Sequence, residues 1–88
     1  MKINKKDFVK ARVHAYLTPG EALKMLRELQ GLTQIDLAKK TGISQSNISA
    51  MESNAKQMGR ERAIILAKAL KVHPAVLLFP DFDVERVA

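Results

Sequence analysis

Residues Thr33–Ser53 read TQIDLAKKTGISQSNISAMES, at the centre of a chain of 88 residues with a formal net charge of +6. The stretch itself is neutral, Lys39 and Lys40 standing against Asp36 and Glu52, and it is rich in Ser, Gln and Asn spaced by single apolar residues. A solvated surface would more often use Lys and Glu, so these short polar side chains point to a partner they can touch. Thr33-Gln-Ile-Asp36 has capping-box spacing, with Thr33 as N-cap and Asp36 at the third helical position. Leu37 and Ala38 give the helix its apolar side, and Gly42 ends it after about two turns. Ser44 caps the next helix, expected over roughly 45–53, with Ile48 and Met51 three apart and Asn54 able to take the left-handed conformation that ends it.

Two short helices joined by a Gly-containing turn of three to four residues make a helix-turn-helix. Ala38 is small where the second helix must approach the first, and Gly42 gives the turn its backbone freedom. Ile43 and Ile48 act as plugs, with Leu37 and Met51 filling the rest of the core. The other positions of the second helix are all short: Gln45, Ser46, Asn47, Ser49, Ala50 and Ser53. Such a helix can lie deep in the major groove of double-stranded DNA, where amides, hydroxyls and the Ala methyl meet base edges. Gln45, Ser46, Ser49 and Ala50 are therefore the candidate base-reading residues. The plain alternative is a pair of ordinary surface helices.

Working outward, Thr18-Pro-Gly-Glu21 is another capping box with Pro at the first helical position. It opens a helix over about 19–30, carrying Ala22, Leu23, Met25, Leu26 and Leu29 and stopped by Gly31. A fourth helix is expected over about 60–71, with Ala63, Leu66, Ala67 and Leu70 on one face. His73-Pro74 opens a last short helix, PAVLLF, closed by Pro80. The segment RVHAYL, residues 12–17, alternates weakly and reads as a short strand or extended arm, and DFDVERVA as an acidic tail. The expected fold is all-α: a basic arm over 1–17, a five-helix domain over 18–79 and a tail over 80–88.

Charge is unevenly spread. Residues 1–12 hold Lys2, Lys5, Lys6, Lys10 and Arg12 against Asp7, or +4; residues 13–55 sum to zero; residues 56–71 hold Lys56, Arg60, Arg62, Lys68 and Lys71 against Glu61, or +4; residues 72–88 sum to −2. Two basic patches flanking a neutral reading surface suit a polyanion gripped on both sides. Solubility charge is the plain alternative. Cysteine is absent, which excludes disulfides and thiolate metal sites and fits a cytoplasmic protein. No apolar run reaches the roughly 18–20 residues that span a bilayer, and the basic N-terminus is not followed by the apolar run of a signal peptide. His14 and His73 have no paired carboxylate motif nearby. Asp81 and Asp83 read as a solvated tail rather than a metal pair. No enzyme activity, cofactor or metal is expected. So small a core favours dimerisation. Val76, Leu77, Leu78, Phe79 and Phe82 exceed what a short terminal helix can bury, which makes Val76, Leu78, Phe79 and Phe82 the candidate two-fold interface, with Ile64 or Ile65 nearby.

Over about residues 18–79 the chain resembles the phage-repressor type of helix-turn-helix protein: lambda repressor, Cro and their XRE-like bacterial relatives. The likeness rests on LTQIDLAKKTGISQSNISAMES and on RAIILAKALKVHPAVLL. It implies the lambda-repressor-like five-helix fold and a dimeric repressor of transcription that binds a pseudo-palindromic operator. In that family the Gln opening the first motif helix holds a phosphate and braces the Gln opening the reading helix, roles that would fall to Gln34 and Gln45. Gln45 would read an adenine, Ser46 a guanine and Ala50 a thymine methyl. Thr33, Asn47, Lys56, Gln57 and Arg60 would join Gln34 on phosphates. Asn54 stands where the family usually has Gly, and the reading helix carries no Arg. The stretch LTPGEALKMLRELQGLTQ is more similar to antitoxins of bacterial toxin–antitoxin pairs, which share the fold. That likeness implies a toxin protein as an alternative partner.

Overall fold

The computed structural model describes residues 17–80. They form α1 (Pro19–Leu29), α2 (Gln34–Thr41), α3 (Gln45–Glu52), α4 (Arg60–Leu70) and α5 (Pro74–Leu78), and no strand occurs among the described residues. The expected arm falls outside them except at Leu17, as does the expected tail except at Pro80.

Local chemistry sets the helix ends. The Thr18 hydroxyl accepts from the Glu21 N–H while the Glu21 carboxylate accepts from the Thr18 N–H, so both halves of the capping box form. Thr33 and Asp36 repeat the exchange at α2, and the Ser44 hydroxyl accepts from the Asn47 N–H at α3. At α5 the cap is the ring of His73, whose Nδ1 accepts from the Ala75 N–H at 3.0 Å. Gly31, Gly42 and Asn54 close their helices with φ of 71°, 77° and 65°. The fourth helix stops one residue short of expectation, because Lys71 itself takes a left-handed φ of 60°. The first and third end at Leu29 and Glu52 rather than at residues 30 and 53.

Leu23, Leu37, Ile48, Met51, Met58, Ala63, Leu66, Ala67, Leu70 and Leu77 form the core. Each fully buried Leu or Ile among them stabilises the fold by about 1.5–3 kcal/mol through removal of apolar surface from water. The α1 helix packs on α3 and α5, α2 on α3 and α4, and α4 on α5. The α3 helix is thus held from behind by α1 and α2 and presents its other side outward. Of the apolar residues that mark this first helix in the sequence, Met25 is 41% exposed. Leu77 belongs to the core, and Leu78 is half-buried against it.

The α1–α3 contact is closest at Gly20. A Cβ built there would collide with the carbonyl oxygen of Met51 and lie 2.8 Å from that of Glu52. The amino end of α1 therefore rests on the carbonyl end of α3, an approach that any side chain at residue 20 would push apart. Gly20→Ala is expected to destabilise the fold by about 1–3 kcal/mol, as overpacking against rigid backbone does, read as a lower denaturant midpoint at unchanged slope. An unchanged midpoint would mean that the two helix ends are free to separate.

Candidate nucleic-acid interface

The α3 helix divides cleanly. Ile48, Met51 and Glu52 are buried, whereas Gln45, Ser46 and Ser49 are exposed and Asn47 and Ala50 half-buried. Three of the four candidate base-reading residues therefore project from the domain, with the methyl of Ala50 beside them. None of the exposed three is longer than Gln, so the outer face of α3 is low and polar. The Ser44 and Ser46 hydroxyls lie 3.2 Å apart across the helix start.

The two glutamines that open the motif helices meet. The Gln45 side-chain N–H donates to Gln34 Oε1 at 3.4 Å, and Gln34 Nε2 donates in turn to Glu52 Oε1 at 3.0 Å. Behind them lies a buried ion pair. Arg27 Nε donates to Glu52 Oε2 at 2.7 Å and Arg27 Nη2 to Glu52 Oε1 at 3.0 Å, in the bidentate geometry that suits guanidinium and carboxylate. Arg27 Nη1 also donates to the Leu32 carbonyl at 2.7 Å. The hydrogen bond to Glu52 raises the Arg27 pKa above its ordinary value in spite of burial, so the cation stays charged across any working pH.

A second link joins α3 to the loop that follows it. Lys56 Nζ donates to Asn47 Oδ1 at 2.6 Å, and the Lys56 N–H donates to the Ala50 carbonyl at 3.0 Å. The loop is tied to α1 as well: Asn54 Nδ2 donates to the Thr18 hydroxyl at 2.9 Å, and Asn54 Oδ1 accepts from the Gly20 N–H at 3.3 Å. Gln57 and Arg60 are exposed at the end of this loop and the start of α4, whose N-cap Gly59 supplies no side chain to the first amides. Thr33 is exposed, with its own N–H engaged by Asp36.

The structure thus brings together Gln34 with Gln45 and Asn47 with Lys56. Arg27, Glu52 and Asn54 were missed as parts of the assembly. A sequence signal existed for the first two: Arg27 falls four residues after Leu23, and Glu52 four after Ile48, each on the buried side of its helix. Opposite charges on two inward faces call for each other. The two hydrogen bonds that join Asn54 to Thr18 and Gly20 span more than thirty positions of sequence and left no such signal. Of the candidate interface residues, Val76 and Phe79 are 40% and 63% exposed, as are Ile64 at 48% and Ile65 at 43%. Phe82 lies outside the described residues.

The fold and the paired α2 and α3 define a helix-turn-helix protein. A family model described as Helix-turn-helix matches residues 23–77, and the chain belongs to that family. Among solved structures it is similar to the P22 c2 repressor protein, crystallised in complex with synthetic operator 9T in the presence of Tl+. The two share 30% identity and a TM-score of 0.68 over 73% of this chain and 97% of that one. No curated protein matches the chain. Among the described residues no helix is long and apolar enough to cross a membrane, and no cluster of His, Asp or Glu could hold a metal ion.

Asp36 gives the motif a pH signature. Its carboxyl is held below its ordinary pKa chiefly by the Thr33 N–H and next by the Thr33 hydroxyl. A depressed folded-state value means that the ionised cap stabilises above the unfolded aspartate pKa of about 4, and that this stability is lost as pH falls through the folded value. Asp36→Asn should therefore melt below wild type at neutral pH, with the gap closing as the solution is acidified. Thermal melts at a series of pH values test this, and a gap independent of pH would show that the charge of the cap contributes nothing.

Proposed function

We propose that the chain is a sequence-specific DNA-binding transcriptional regulator, not an enzyme, and that it acts as a dimeric repressor with α3 in the major groove. The observation that carries this reading is the brace across the motif, Gln45 to Gln34 to Glu52, which positions a polar side chain at the start of an exposed helix otherwise lined by Ser and Ala. A side chain braced in this way suits a task that needs fixed geometry. The similarity to a repressor solved with its synthetic operator supports the same reading. Gln45, Ser46, Ser49 and Ala50 would meet base edges. Thr33, Gln34, Asn47, Lys56, Gln57 and Arg60 would hold phosphates, with Arg60 helped by the uncapped amides that begin α4. On this reading the protein would act in the cytoplasm, where a bacterial regulator of this type meets its DNA.

A mutational pair separates reading from gripping. Gln45→Ala should cost about 1–3 kcal/mol on the selected operator and relax preference at one base pair, whereas Lys56→Ala should weaken all duplexes alike and lower the salt slope by about one unit. Titrations of each variant on selected and random duplexes at several salt concentrations measure both. Equal loss on both DNAs for Gln45→Ala would make residue 45 a backbone contact.

The dimer rests on the exposed apolar face formed by Val76 and Phe79, with Ile64 and Ile65 on the adjoining helix. One motif meets only a few base pairs, so useful specificity requires a second, about 34 Å away along a pseudo-palindromic operator overlapping the promoter. Phe79→Asp is expected to give a folded monomer with sharply weaker operator binding, by sedimentation and gel shift. A wild type that is monomeric at tens of micromolar and protects a single half-site would overturn the dimer.

A second reading, an antitoxin that also represses its own operon, is favoured by one observation. Met25 and Leu29 are exposed on the outer face of α1, Leu29 by 75%, within the stretch most similar to antitoxins. A toxin docked there would leave α3 available to DNA.

A further inference from the structure

The brace has a direction, and the direction comes from a buried charge. Glu52 is 6% exposed and its carboxylate is engaged by Arg27 at both oxygens. An ionised carboxylate only accepts hydrogen bonds. The amide of Gln34 must therefore turn its NH2 toward Glu52, as it does at 3.0 Å. That leaves Gln34 Oε1 facing the other way, where it too can only accept. Gln45 must then present its own NH2 to Gln34, as it does at 3.4 Å. One N–H of Gln45 is spent on Gln34, and the side chain keeps one N–H and one carbonyl oxygen in a fixed order for a ligand. A glutamine amide without such a neighbour has two orientations that differ by exchange of donor and acceptor.

We propose that Glu52, paired with Arg27, is a specificity-determining positioning residue: through Gln34 it fixes the order of donor and acceptor on Gln45, selecting a base edge that offers one acceptor and one donor in the matching order. Adenine has that edge in the major groove, an N7 acceptor beside an N6 donor; guanine offers two acceptors. The inference rests on the reading that Gln45 meets a base. Glu52 touches no DNA in it. Besides joining α1 to α3 it orients Gln34, and that second part alone alters the choice among bases, whereas loss of the helix contact or of the Gln34 phosphate contact weakens binding to all duplexes alike.

The test uses the full chain and four duplexes carrying A, C, G or T at the position that Gln45→Ala relaxes in an operator selected from random DNA. Three proteins are compared with wild type: Glu52→Gln; the double variant Arg27→Met/Glu52→Met, which replaces the ion pair by apolar groups of similar length so that the fold survives if Glu52→Gln does not; and Gln34→Met, which leaves the ion pair intact and cuts the relay. The expected result is a wild-type preference for adenine of about tenfold that shrinks severalfold in each folded variant, with the rank order of bases elsewhere in the operator unchanged. Loss of a phosphate contact or of stability alone would weaken binding to all four duplexes by one common factor. A preserved adenine preference in both Gln34→Met and the double variant would overturn the relay, provided that Gln45→Ala abolishes that preference. If Gln45→Ala also preserves it, the base reading itself fails and the relay with it.

Discussion

A single buried ion pair joins most of the parts of this domain. Arg27 lies on α1 and Glu52 at the end of α3, so the bidentate contact of these two residues, twenty-five positions apart in sequence, draws the two helices together. Arg27 reaches further, to the carbonyl of Leu32 in the turn before α2, and Glu52 reaches Gln34 at the start of α2. Three helices and one turn meet at two side chains. A buried pair of this kind adds little net stability, because desolvation offsets most of its attraction. Removing either partner alone leaves a bare charge inside and costs about 3–5 kcal/mol. The pair also opposes alternative arrangements: a slip of α3 relative to α1 would separate two buried charges whose other hydrogen-bond partners, the Leu32 carbonyl and the Gln34 amide, are neutral.

The α3 helix shows why such a constraint is needed. Its sequence, QSNISAME, has no strong helix-forming run, and Ser and Asn favour turns by bonding to nearby backbone. An isolated peptide of this length would not hold a helix. The Ser44 cap, the burial of Ile48 and Met51, and the fixed Glu52 hold it in place. Because order comes from the inner face, the outer face can consist of short polar groups that contribute nothing to helix propensity.

Much of this was legible in the sequence, and the legible parts are local. Thr18, Thr33 and Ser44 announce helix starts through bonds that close within three residues. Gly31, Gly42 and Asn54 announce ends through backbone conformations that few residues adopt. Boundaries were off by one at residues 30, 53 and 71, where a cap rather than a helical residue sits; at Lys71 the left-handed turn is taken by a side chain with no special aptitude for it. The roles of Arg27, Glu52 and Asn54 depend on what the folded chain brings near them. A charged residue on an apolar spacing is ambiguous until its counterpart is found. The apolar tail of the domain was ambiguous for the same reason: Leu77 goes inward and Phe79 outward, and adjacency in sequence does not say which.

The loop between α3 and α4 has a consequence for entropy. Asn54 ties its beginning to Thr18 and Gly20, and Lys56 is held by its backbone to Ala50 and by its side chain to Asn47. Connecting segments of this length commonly move freely, and each residue they must immobilise on meeting a partner costs about 1–2 kcal/mol of conformational freedom. Here much of that ordering is complete when the chain folds. The loss is charged against folding, where the core of Leu23, Ile48 and Leu66 offsets it, rather than against recognition. The loop that carries Lys56 and Gln57 is therefore ordered in the folded domain, and a partner that met those side chains would not have to freeze it first.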